Sequence, residues 1–218
     1  MCASARVQIR STTGTAYCWG AVIVDGVTSS YLIPTAIVAP PGVTFTALST
    51  GSRRTCGLTP AGAAYCMGMN THGAVGDGTT QDRWTPTLVQ TPAGVSFDAI
   101  TAAYEHACGL TASGVVYCWG DNEFGSVGDG SGTDQLIPVP VAAPGGIRFA
   151  AINADGYHTC AITTTATVYC WGSVSVGVVG PATPTLVSSE RIASIALGER
   201  FACALNVDGA LSCWGATP

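Results

Sequence analysis

The ten cysteines of this 218-residue chain are its most chemically capable residues, and their spacing says which chemistry they suit. Five recur inside one short string: Tyr17-Cys-Trp-Gly, Tyr65-Cys-Met-Gly, Tyr117-Cys-Trp-Gly, Tyr169-Cys-Trp-Gly and Ser212-Cys-Trp-Gly. In four of these units a second cysteine stands ten positions upstream, giving Cys56/Cys66, Cys108/Cys118, Cys160/Cys170 and Cys203/Cys213. Zinc sites favour cysteine pairs about two to four residues apart that converge on one ion. A separation of ten suits a disulfide better, with buried free thiols as the remaining alternative. In the first unit Gln8 takes the place of the upstream cysteine, so Cys2–Cys18 is the economical fifth pair. A lipidated Cys2 is the rival reading.

The segments between paired cysteines read as hairpins. Cys56-Gly-Leu-Thr-Pro-Ala-Gly-Ala-Ala-Tyr-Cys66 turns at Gly62, the copy in the third unit turns at Gly114 and the last at Asp208-Gly209. Glycine in a short loop between apolar runs is the hairpin signature. Centring the turn sets position 56 opposite 66, where an antiparallel pair comes close enough for a disulfide. The copy in the fourth unit, Thr163-Thr-Thr-Ala-Thr167, lacks the glycine and is expected to turn less tightly.

Other reactive types are explained by register. His106 and His158 precede the upstream cysteine by two positions, where other units carry Arg54 and Phe201. A position filled by Arg, His and Phe belongs to the scaffold or surface, not to a general base. His72 is unique to its unit and reads as a solvated loop residue, a weak binding candidate. Gly-Asp-Gly at 76–78 and 128–130 reads as a tight turn, because it lacks the alternating carboxylates of a calcium loop. Trp19, Trp119, Trp171 and Trp214 fall in register and read as packing, whereas Trp84 does not and is the better surface aromatic. No Ser-His-Asp set, HExxH, phosphate loop or dinucleotide fingerprint occurs, so no catalytic residue, metal ligand or cofactor is expected.

The elements that must hold these residues follow from the period. The string cysteines are separated by 48, 52, 52 and 43 residues, which marks a repeat architecture. Each unit reads as four short strands; in the third these are 97–103, 106–111, 115–120 and 136–141. A glycine-rich loop leads to a proline-marked outer strand at Ile33-Pro34, Thr85-Pro86, Ile137-Pro138 and Thr183-Pro184. Units of this size with four strands are propeller blades. The expected domain is a single one, 1–218, with units near 1–42, 43–94, 95–146, 147–190 and 191–218. The first should lack its inner strand and the last its outer one, leaving an open arc rather than a tight closed ring. Thirteen acids, eight arginines and no lysine give a net charge of −5. That balance argues against nucleic acid. No apolar run reaches the roughly 18–20 residues of a membrane helix.

The recurring pattern resembles the repeat of the RCC1 (regulator of chromosome condensation) family. His106, Cys108, Leu110, Tyr117, Cys118, Trp119, Gly120, Asn122, Gly125, Gly128, Asp129, Gly130 and Pro138 carry the likeness in the third unit. The cysteine-bearing copies look most like those of bacterial secreted members. The resemblance implies an all-β propeller of about four to five blades, incomplete or completed between molecules. It implies a secreted or cell-surface, non-enzymatic scaffold that binds a protein partner, with glycan as a variant. The alternative is a self-assembling extracellular protein whose copies complete one another by strand pairing. Exchange-factor and β-lactamase-inhibitor roles known in the wider family find no matching loop residues here.

Overall fold

The computed structural model describes residues 5–9, 15–24, 27–173 and 180–215, and among these every regular element is a strand. Eighteen strands form five antiparallel sheets in chain order. The first sheet holds β1 (Ala5–Ile9), β2 (Ala16–Val24) and β3 (Val27–Ala36). The second holds β4 (Ala47–Thr50), β5 (Arg54–Leu58), β6 (Ala64–Gly68) and β7 (Arg83–Leu88). The third holds β8 (Ala99–Ala102), β9 (His106–Leu110), β10 (Val116–Gly120) and β11 (Gln135–Pro140). The fourth holds β12 (Phe149–Asp155), β13 (Tyr157–Thr163), β14 (Val168–Ser173) and β15 (Thr185–Ser188). The last holds β16 (Ile192–Gly198), β17 (Phe201–Asn206) and β18 (Leu211–Gly215).

Each sheet is a meander, and the three central ones have four strands in simple order. The second and third strands form the cysteine hairpin, with Cys56 opposite Cys66, Cys108 opposite Cys118, Cys160 opposite Cys170 and Cys203 opposite Cys213. Disulfides close all four pairs at a Cα separation of 4.1 Å, the close type of antiparallel pair. Cys18 is also disulfide-bonded. The expected partner, Cys2, lies outside the described residues.

One expectation about these hairpins is overturned. The copy in the fourth unit turns as tightly as the others, with Thr163 N–H donating to Thr167 O and Ala166 N–H to Thr163 O, the pattern of Thr59, Gly62 and Ala63. Ala166 takes the left-handed conformation itself, at φ 67°. Hydroxyl contacts from Thr163 to Thr165 and Thr167 hold the turn closed.

The core lies between sheets rather than within one. Leu58, Ala64, Cys56 and Cys66 of the second sheet pack against Phe97, Ala107 and Trp119 of the third. Leu110, Val116 and Cys108 then pack against Phe149, Ala161 and Trp171 of the fourth. The innermost strands are also linked in series. Ala102 N–H donates to Ser49 Oγ, Ala154 N–H to Thr101 Oγ1, and Asn153 Nδ2 to Ile195 O. The first and last sheets do not merge: each is a separate three-stranded sheet, so the described residues form an open arc of blades.

Candidate functional site

The loops between the third and fourth strands are built by one polar knot. In the second sheet, Asn70 (0% exposed) donates from Nδ2 to Thr79 O at 2.9 Å and Gln81 O at 3.0 Å, while its Oδ1 accepts Val75 N–H. Asp77 accepts from Thr79 and from Arg83 Nε. In the third sheet Asn122, Asp129, Ser131 and Gln135 repeat the arrangement. The Gly-Asp-Gly segments are therefore turns tied from inside. Gly128, at φ 77°, also sits so close to Trp171 that an added Cβ would lie 2.6 Å from Nε1. Trp119 and Trp171 donate from Nε1 to Ala74 O and Ser126 O of the preceding loop. Both are inter-sheet packing.

The Arg/His/Phe register position is buried in the central sheets: Arg54 is 2%, His106 1% and His158 1% exposed. Each side chain plugs the junction with the next sheet. Arg54 donates to the carbonyls of Ala103, Tyr104 and Met69, and burial lowers its pKa to about 10. His106 Nε2 lies 2.8 Å from Thr159 Oγ1. Burial, with the Arg54 charge, lowers its pKa to about 3. This Thr–His contact has the atoms of a nucleophile–base pair, but both groups are sealed from solvent. His158 lies against the Phe201 backbone without a hydrogen bond of ordinary geometry, and burial lowers its pKa to about 4.

Solvent reaches a groove of 490 Å³ along the innermost strands, lined by Thr50, Thr101, Tyr104, Asn153, Asp155 and Glu199 among others. Tyr104 and Tyr157 meet at 5.3 Å at its mouth, and Phe124 packs edge-on to Tyr157 at 5.1 Å. Burial raises the Tyr157 and Asp155 pKa values, the latter with help from the Glu199 charge. Sequence reasoning misses this cluster, because no single unit contains it. Tyr104 and Tyr157 come from different register positions of adjacent units.

His72 is partly exposed, and its ring is held between two carboxylates. Its Nδ1 lies 2.8 Å from Asp134 Oδ2 and its Nε2 3.3 Å from Glu105 Oε2. Burial opposes its charged form, but the Asp134 hydrogen bond and the Glu105, Asp121 and Asp134 charges hold its pKa above the usual value. Asp121 is 3% exposed, and burial raises its pKa. Trp84 stands half-buried on β7 and its ring makes no stack among the described residues.

The family profile described as "Regulator of chromosome condensation (RCC1) repeat" matches residues 61–110 and 113–162, and a second profile of the same description matches 97–126 and 150–177. The ultraviolet-B receptor UVR8 of Arabidopsis thaliana is 28% identical over 91% of this chain, which spans 48% of that protein. The human E3 ubiquitin-protein ligase HERC2 is 28% identical over 72% of the chain, which spans 4% of it. The crystal structure of Prp20p from Saccharomyces cerevisiae superposes with a TM-score of 0.78 at 18% identity, covering 93% of this chain and 54% of that one. The chain thus spans about half or less of these relatives. With the profiles together matching residues 61–177, and with sheets that meander and pack in series as blades do, the chain belongs to the RCC1 repeat family.

Proposed function

We propose that this chain is an extracellular, non-enzymatic propeller scaffold that docks a protein partner through a basic segment. The observation carrying the proposal is the groove mouth, where Tyr104, Tyr157 and Phe124 meet in turn, Asp155 and Glu199 line the groove, and the Glu105, Asp121 and Glu199 charges act on Tyr157. The exposed arginines at this end, Arg53 and Arg200, come from the flanking sheets. Aromatic faces beside carboxylates attract guanidinium and ammonium groups, and the summed field speeds encounter with a basic surface. Prp20p has binding properties toward Gsp1p and histones, which supports reading a propeller of this family as a docking platform. An oxidising compartment is supported by the four hairpin disulfides. An arginine-rich peptide, followed by fluorescence anisotropy, is expected to bind, to weaken as salt rises and to lose affinity on Tyr157→Ala. Equal affinity for an uncharged peptide of the same length, or no effect of Tyr157→Ala, overturns this reading.

A second reading, association between copies, is favoured by the last sheet. Leu205 and Leu211 are 40% and 69% exposed, whereas their register partners Leu58, Leu110 and Ile162, and Ala64, Val116 and Val168, are at most 6% exposed. This face is the unburied version of one that elsewhere meets a neighbouring blade. A second copy is the occupant this reading assigns. Light scattering is expected to show concentration-dependent assemblies that Leu211→Glu disperses; a monomer at all concentrations removes it.

A further inference from the structure

Subtracting the repeat from the sequence leaves one group of residues that the scaffold does not require. His72 stands where the next unit has Phe124, Glu105 where others have Arg53 and Tyr157, and Asp121 where others have Met69 and Ser173. Asp134 alone has a structural counterpart, since Asn122 N–H donates to Asp134 Oδ1 as Asn70 N–H donates to Asp82 Oδ1. Between the third and fourth sheets the equivalent place is filled by rings, Phe124 against Tyr157. Between the second and third it is filled by an imidazole and three carboxylates.

Ligand atoms of His72, Asp121 and Asp134 lie within 4.8 Å of one another. Each carboxylate is already oriented by a contact on its far side. Asp134 Oδ1 takes the Asn122 N–H, which leaves Oδ2 turned to His72 Nδ1 at 2.8 Å. Asp121 Oδ1 takes the Glu123 N–H at 3.1 Å. Among the described residues no hydrogen bond reaches Asp121 Oδ2, although the residue is 3% exposed. Solvent reaches that oxygen, so it is open to an incoming ligand. Glu105, 3.3 Å from Nε2, sits where it accepts the Nε2–H and frees the Nδ1 lone pair. A carboxylate behind a metal-bound imidazole is the usual outer partner of such a ligand.

We propose that His72 Nδ1, Asp121 and Asp134 bind a divalent first-row transition ion of the zinc type across the junction of the second and third sheets, with Glu105 orienting the imidazole. Metal–ligand bonds of about 2.0–2.2 Å need the His72–Asp134 pair, now at hydrogen-bond distance, to open around the ion and Asp121 to draw in. An imidazole with carboxylates selects such an ion over calcium or magnesium, which prefer all-oxygen shells. Waters would complete the shell, because His72 and Asp134 are partly exposed.

The test is calorimetric titration of the chelator-treated, disulfide-intact chain with ZnCl2, and with CaCl2 and MgCl2 as contrasts. The expected result is one zinc per chain, no comparable calcium or magnesium binding, and loss of that site in both His72→Ala and Asp121→Asn. Glu105→Gln is expected to weaken binding about 10–100-fold without abolishing it. Cobalt substitution should give visible absorption bands that vanish in His72→Ala, with unchanged far-ultraviolet circular dichroism showing that the variant is folded. No zinc binding, stoichiometric binding retained in His72→Ala, or a preference for calcium overturns the proposal. None of these readouts depends on the peptide-docking reading.

Discussion

Ala166 holds a φ of 67° at a turn position that glycine occupies in the other three cysteine hairpins. An L-residue there is disfavoured by its Cβ by about 1–2 kcal/mol, while glycine adds unfolded-state entropy of roughly 0.5–1 kcal/mol. Ala166→Gly is therefore expected to stabilise the protein by about 0.5–1 kcal/mol, read as a higher urea midpoint with unchanged slope. The missing glycine is visible in the sequence, but its consequence is not. The hairpin register is imposed by the disulfide and by the Thr163 hydroxyl contacts, so the turn tightens regardless of residue type. The buried Arg54, His106 and His158 are legible as scaffold, because one register position carrying three unlike side chains cannot be a shared catalytic one. His72 is not legible in the same way. Its carboxylate partners are 33 or more positions away and belong to the next unit.

At the scale of the element, hairpin and outer-strand limits in the third unit follow the sequence to within one residue, since cysteine spacing, glycine turns and proline fix them. The inner strand is the exception. A strand over 97–103 is expected, but β8 begins at Ala99. Phe97 leaves the ladder to donate its N–H to Gly62 O of the preceding hairpin, and its ring packs on Trp119 of its own sheet, in the cluster that also holds Leu58. Phe149, which stays in β12, likewise donates its N–H to Gly114 O. The two N–H contacts to Gly62 O and Gly114 O are inter-blade, and no pattern within one unit announces them. Removing one crosslink by Cys108→Ser with Cys118→Ser closes no new contact and frees a short loop. It is expected to lower stability by about 2–3 kcal/mol in chemical denaturation, with the strand content retained.

Across the whole molecule, one register position seals three successive junctions, through Arg54, His106 and His158, and its chemistry makes the arc sensitive to acid. His158 titrates at about 4 when folded, against 6.5 for an ordinary histidine, because burial disfavours its charged form. The unfolded chain therefore binds a proton that the native chain does not between about pH 6.5 and pH 4. Stability from this group is full above 6.5 and falls as pH drops through that window. His158→Phe, the residue type that Phe201 brings to the same position, is expected to flatten the decline in urea midpoint between about pH 7 and pH 5. An unchanged slope would show that other groups govern it. The arc itself is legible from the period. The groove and its acidic mouth are not, because they exist only where several units converge.

The four hairpin disulfides among the described residues each staple a hairpin to itself, and none of these four ties one sheet to another. Under mechanical load this divides the molecule into two kinds of slack. Pulling from the ends would peel blades apart at interfaces held by packing and hydrogen bonds, yet every oxidised hairpin would withhold its closed loop, roughly 30 Å of contour length. A tethered chain of such blades would lengthen in steps, and each step would grow when the surroundings turn reducing. The same covalent pattern that leaves neighbouring blades free to separate thus makes the protein's reach a readout of the redox state around it.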